Sequence, residues 1–252
     1  SPNYASDGHI FVTTEGDGIF DSTDEGKTWA ARSSGLPDLN LSALAISPDY
    51  DTDRTLFATS GEGVYKSVNQ GYNWDEVKSI GELRGALVLS PDYANDQTLF
   101  VGRSNCDGCA LLKSTDGGGT WVSLGEGGWF DTEALAISPN YTVDQTIFAG
   151  AYGTGLFKSS TGGASWLQIK EGSHNNALSL SPTYAEDATL FLGQDQGKIM
   201  KSVDEGDTWV DVEGELTEQG NAGTGVNIWG GSQGNVVGGN SAGERNFISH
   251  NH

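Results

Sequence analysis

The chain has 252 residues, with 34 acidic against 13 basic side chains and a formal net charge of −21. Nucleic acids and anionic membranes bind basic footprints, so this balance excludes both as partners and fits a solvated acidic exterior. No apolar run approaches the length of a membrane span, and 37 glycines suit a chain of many tight turns rather than long helices.

Taken in order, the elements repeat. A Ser-Pro-x-Tyr-x-x-Asp opening occurs at Ser1-Pro2, Ser47-Pro48, Ser90-Pro91, Ser138-Pro139 and Ser181-Pro182, a period of 43–48 residues. Short apolar runs precede the last four openings: Ala43–Ile46, Ala86–Leu89, Ala134–Ile137 and Ala177–Leu180. They read as inner strands buried on both faces. A second strand follows each opening, at Ile10–Thr13, Leu56–Thr59, Leu99–Gly102, Ile147–Gly150 and Leu190–Gly193. In the second repeat a Gly61-Glu62-Gly63 turn leads to a third strand, Val64–Ser67. The alternating run Trp74–Val77 then reads as a half-exposed fourth strand. Strands alone, at this period, predict an all-β propeller of five four-stranded blades over residues 1–222. A larger propeller of which these are part is the alternative. The chain begins without Met, after the point where a first inner strand would end, which suggests a processed or partial chain.

The turn before each outer strand is the most regular piece. Ser22-Thr23-Asp24-Glu25-Gly26-Lys27-Thr28-Trp29, Ser114–Trp121 and Ser202–Trp209 share the pattern Ser-x-Asp-x-Gly-x-Thr-Trp. Ser67–Trp74 puts Asn69 in the Asp place, and Ser159–Trp166 puts Thr161 there. The pattern resembles the Asp-box, or bacterial-neuraminidase repeat, of sialidase-type propellers, and the resemblance covers roughly residues 1–212. It implies a folding device away from any active centre. Asp24, Asp116 and Asp204 would accept hydrogen bonds within their own turns, with Asn69 and Thr161 as weaker substitutes. Trp29, Trp74, Trp121, Trp166 and Trp209 read as packing wedges between neighbouring blades. The Asp residues of the openings, Asp7, Asp53, Asp96, Asp144 and Asp187, read as caps of their own turns, with the Tyr of each packed beneath. Calcium is the other ligand such oxygen-rich turns would take.

Residues 223–252 differ. Gly225–Trp229 is the candidate strand to complete the first repeat and close the ring. The stretch Gly225–Ser249, with Asn-x-x-Gly-Gly-x-x-Ala-Gly-x-x-Asn-x-Ile-Ser at its core, resembles one coil of a right-handed parallel β-helix surface protein. One coil cannot bury its own apolar face, so this tail would need a partner.

Strand order places two sets of loops on opposite faces. Outer-to-inner and second-to-third connections share the face where propeller enzymes keep their axial site. Glu15, Asp17, Asp38, Glu82, Arg84, Arg103, Trp129, Asp131, Glu133, Glu171, His174 and Asp195 fall there. Trp129, Asp131, Glu133, Arg84 and Arg103 form the candidate ligand face, because carboxylates beside aromatics suit glycans. Sialidases grip a carboxylate with three arginines. Here Arg32 lies on an outer strand, Arg54 on the opposite face and Arg245 in the tail, leaving two, and no Arg-Ile-Pro occurs. Sialidase activity is thereby disfavoured. Large Asp-box endoglucanases are far longer than this chain, and Asp-box photosystem assembly factors use basic surfaces that it lacks.

Cys106 and Cys109 flank an Asp-Gly turn in a loop only the third repeat carries, a candidate disulfide in an oxidising compartment. His9, His174, His250 and His252 are scattered and give no metal-ligand spacing. Asn40-Leu41-Ser42 and Asn140-Tyr141-Thr142 fit the N-glycosylation pattern. The expected protein is an extracellular or cell-surface structural or adhesive propeller, without catalysis, cofactor or metal. It would bind surface proteins, glycans or copies of itself, as a homo-oligomer or filament. A polysaccharide-active glycoside hydrolase or lyase with an acidic axial cleft is the alternative.

Overall fold

The computed structural model describes residues 1–212 except Glu15, 81–84, 104–110, 125–130, Ser173 and 195–197. The chain is an all-β propeller. Its strands form five antiparallel sheets in chain order, four of them with four strands and the first with three. The second blade shows the plan. Leu41–Ile46, Leu56–Ser60, Gly63–Ser67 and Asp75–Ser79 hydrogen-bond in sequence order. The first blade consists of Ile10–Thr14, Gly18–Ser22 and Ala30–Ala31. The candidate closing strand Gly225–Trp229, the β-helix-like tail and the boundary at 222/223 lie outside the described residues, as do Arg84, Cys106, Cys109 and Trp129.

The openings are more ordered than their turn composition predicts. Each forms one turn of α-helix, Tyr4–Asp7, Tyr50–Asp53, Tyr93–Asp96, Tyr141–Asp144 and Tyr184–Asp187. The turn ends in a left-handed residue: Gly8 in the first blade, but Arg54, Gln97, Gln145 and Ala188, at φ 51–53°, in the others. Non-glycine residues visit this region at a cost, which the surrounding bonds offset here. In the second blade Ser47 Oγ donates to Asp53 Oδ2 at 2.6 Å, and the Thr55 amide donates to Asp53 Oδ1 at 2.8 Å. The same pair of bonds recurs at Asp7, Asp96, Asp144 and Asp187.

Each Ser-x-Asp turn docks on the helical turn of its own blade. The amides of Glu25, Gln70, Gly117, Gly162 and Glu205 donate to the carbonyls of Gly8, Arg54, Gln97, Gln145 and Ala188. The two motifs therefore share one face, and the connections between second and third strands lie at the other.

The core lies between blades rather than within them. Four buried clusters join the first blade to the second, the second to the third, the third to the fourth and the fourth to the fifth. At each junction a Phe from one blade's second strand meets the edge of the next blade's Tyr. The pairs are Phe11–Tyr50, Phe57–Tyr93, Phe100–Tyr141 and Phe148–Tyr184, with centroids 5.7–5.8 Å apart. That separation and the near-perpendicular planes match the preferred quadrupole geometry. The tryptophan of the following blade packs against the same cluster: Trp74, Trp121, Trp166 and Trp209. Trp29 departs from this, being 44% exposed, because no described blade precedes it.

Candidate functional site

In the first, third and fifth blades the Ser-x-Asp turn is built alike. Asp24 Oδ1 accepts from Ser22 Oγ and the Thr28 amide, both at 2.8 Å, and Oδ2 accepts from Thr28 Oγ1 at 2.7 Å. Asp116 and Asp204 repeat these bonds. The donors, led at Asp24 and Asp116 by the Thr amide and at Asp204 by the Thr hydroxyl, hold all three carboxyls at about 2. Asn69 accepts from Ser67 Oγ and the Asn73 amide, and Thr161 from the Ser165 amide. Neither carries charge. The indole N–H of Trp29, Trp121, Trp166 and Trp209 donates to the turn's own glycine carbonyl. Trp74 instead donates to Arg32 O of the preceding blade at 2.6 Å. These carboxylates are engaged inside their own turns. Among the described residues no group of three His, Cys, Asp or Glu side chains could hold a metal ion.

On the opposite face, the rims of the third, fourth and fifth blades join into a belt. Inner strands Thr132–Ile137 and Asn175–Leu180 each begin with a register shift against the second strand, at Thr132/Ala134 and Asn175/Ala177. Leu41–Ile46 does the same. The shift leaves one extra residue, Ser42, Glu133 or Asn176, at the rim, and such bulges re-aim side chains. Backbone bonds stitch the belt: the Thr132 amide to Arg103 O and the Tyr152 amide to Asp131 O, both at 2.8 Å. Gln194 Nε2 donates to Asn175 Oδ1 at 2.9 Å. Asn175 is fully buried, and its Nδ2 has no hydrogen-bond partner.

Between the fourth and fifth blades the Tyr152 ring lies on the His174 ring, with centroids 3.7 Å apart and planes tilted by 30°. Tyr152 is 50% exposed. The approach is close because the second strand of the fourth blade carries Gly150, where a Cβ would fall 2.8 Å from Asn175 O. Of the sequence-derived ligand face, Asp131, Glu133 and Arg103 belong to this belt and are half-buried. The Nε of Arg103 is buried without a partner. Asp38 instead caps its own loop through the Asn40 amide, and Asp17 is exposed at a turn. Tyr152, Asn175 and Gln194 escape sequence reasoning. One signal existed for Tyr152, an aromatic residue in a second-to-third turn that elsewhere is small and polar.

A second cluster lies at the first junction. His9 Nε2 and Arg32 Nη2 each stand 3.1 Å from a carboxylate oxygen of Asp21. Arg32 also stacks over the Tyr72 ring, 4.3 Å from its centroid. The other blades place Lys66, Lys113, Lys158 and Lys201 where the first places Asp21. The three residues of this trio all depart from the repeat together.

The fold has many solved relatives in shape, although no protein-family model and no curated protein matches the sequence. An ancestral GH74 enzyme superposes with a TM-score of 0.68 at 18% identity, over 86% of this chain and 31% of that one. A GH74 enzyme from Niastella koreensis gives 0.64 at 21% identity, over 82% and 36%. A chain of a nidogen/laminin complex gives 0.61 at 12% identity, over 82% and 75%. The chain thus spans about a third of the length of the two GH74 enzymes. At these identities the likeness establishes the propeller fold alone.

Proposed function

We propose that this chain is an extracellular or cell-surface Asp-box propeller that binds a glycan at the rim of its third to fifth blades, without turning it over. The stacked Tyr152–His174 pair carries the reading. A half-exposed ring held rigid by a second ring offers a flat apolar face to a pyranose, and Asp131, Glu133, Gln194 and Arg103 lie on the same rim, where their polar groups suit hydroxyls. The acidic exterior and the recurrent Ser-x-Asp-x-Gly-x-Thr-Trp turns support the surface-protein assignment. Residues 1–222 are the binding unit in this reading, with 223–252 a separate closing and tail segment.

Titration of neutral and acidic oligosaccharides, followed by calorimetry with product analysis, tests it. Tyr152→Ala should weaken binding about tenfold, the scale of one aromatic contact. Absence of binding across the panel, or affinity indifferent to Tyr152, would sink the proposal. Product release abolished by Asp131→Asn would replace it with the hydrolase or lyase reading.

A further inference from the structure

Two departures from the repeat meet on the rim. The place that Thr14, Ser60, Ala151 and Gln194 hold in the other four blades is held by Arg103 in the third. The next place carries Tyr152 in the fourth blade, where the second has Gly61. One peptide group joins the two departures. Between Asp131 and Thr132, its N–H donates to Arg103 O and its C=O accepts from the Tyr152 amide, both at 2.8 Å. Two such bonds and one peptide unit put the Arg103 carbonyl and the Tyr152 amide no more than about 8 Å apart. Gly102 permits the approach, since a Cβ there would fall 2.7 Å from Thr132 Cγ2.

Arg103 also stands apart in its charge. Of the three arginines among the described residues, Arg32 meets Asp21 at 3.1 Å and Arg54 meets Asp51 at 4.0 Å. Arg103 forms no ion pair among the described residues, and its buried Nε has no hydrogen-bond partner. In a chain with 34 acidic residues, a half-buried cation without a carboxylate is the exception. A buried charged donor without an acceptor costs free energy that an anionic ligand recovers. Asn175 Nδ2, another unpartnered donor of the belt, is fully enclosed and opens to no ligand.

We infer, resting on the reading of Tyr152 as the sugar platform, that Arg103 binds an anionic substituent of the same glycan, a uronate carboxylate or a sulfate ester. The planar guanidinium takes either group through two parallel N–H···O bonds, which a single hydroxyl oxygen cannot match. The shared peptide keeps that substituent within one or two sugar rings of the one lying on Tyr152. Asp131 and Glu133 on the same rim disfavour further anionic groups. The ligand is therefore a neutral backbone with isolated acidic substituents rather than a densely charged polymer.

Calorimetric titration of the full chain with three oligosaccharides of one backbone tests this: neutral, bearing one uronic acid, and bearing one sulfate ester. At least one acidic form should bind about tenfold tighter than the neutral form, the scale of a charge-assisted hydrogen-bonded pair. Arg103→Gln and Arg103→Ala install residues that the fifth and fourth blades carry at that place, as Gln194 and Ala151, so the fold has room for both. Each should erase the preference for the acidic form. Arg103→Lys should keep part of it, because lysine retains the charge without the fork. Tyr152→Ala should weaken all three ligands. Equal affinity for the three forms, or a preference that survives Arg103→Gln and Arg103→Ala, overturns the role of Arg103 and leaves the sugar platform standing if Tyr152→Ala still weakens binding. Failure of all three forms to bind overturns both.

Discussion

The third junction and the first occupy the same slot in the repeat and fill it differently. At the third, Lys113 spans from its blade to the Gly162 carbonyl and the Tyr141 hydroxyl, over the ring of Phe100. Burial pulls the Lys113 ammonium down and pushes the Tyr141 phenol up to about 12. At the first, Asp21 stands in the Lys place, Arg32 in the place of Val77, Leu124 and Ile169, and His9 in the place of Thr55, Thr98, Thr146 and Thr189. One acid among two bases replaces one base between a carbonyl and a phenol hydroxyl. The comparison teaches that the slot demands a satisfied polar bridge, not a particular charge. Changing one member of the bridge therefore requires changing its partners.

The sharpest break should come from the shared apolar element. Phe100→Ala, which empties a fully buried ring site, should cost about 3–5 kcal/mol in denaturant unfolding. Phe11→Ala, at the half-covered first junction, should cost clearly less. Equal losses would mean that the first junction is as closed as the third.

Next in size is the polar bridge. Asp21→Ala leaves His9 and Arg32 without their acceptor and should cost about 3 kcal/mol, more than Lys113→Ala. The combined variant His9→Thr, Asp21→Lys, Arg32→Val rewrites the first junction in the idiom of the others. Its loss should fall short of the sum of the three single losses by about 1–3 kcal/mol. Strict additivity would show that the trio does not act as a unit.

The smallest effect distinguishes the charged turns from the neutral ones. Asp24, Asp116 and Asp204 sit at about 2 when folded, below the ordinary carboxyl value of 3.8. A depressed pKa contributes stability that is present above the ordinary value and is lost as pH falls through about 2. Hydrogen exchange at the Thr28, Thr120 and Thr208 amides should lose protection across that window. The Asn73 and Ser165 amides, held by Asn69 and Thr161, should not. A uniform response of all five turns would refute the distinction.

Much of this architecture was legible in the sequence. The strands announced themselves because each is a short apolar run bounded by turn residues, and the period placed them in blades. The helical turns were not legible, since Arg54, Gln97, Gln145 and Ala188 give no hint of a left-handed conformation that their neighbours impose. Trp29 reads like the other four tryptophans, yet its exposure depends on whether a blade lies against it, which is a property of the assembly and not of the motif. On the candidate ligand face, Asp131, Glu133 and Arg103 could be assigned by strand order alone. The Tyr152–His174 stack could not, because it joins residues 22 positions apart through the closeness of two blades, and that closeness rests on Gly150.

The Phe–Tyr contacts all run in one direction, from an earlier second strand to a later helical turn. During synthesis the consequence is an order of events. A blade that has left the ribosome holds its Phe bare until the next opening, about one repeat later, has emerged. The growing chain thus carries one uncovered aromatic face at its leading edge, handed forward from blade to blade.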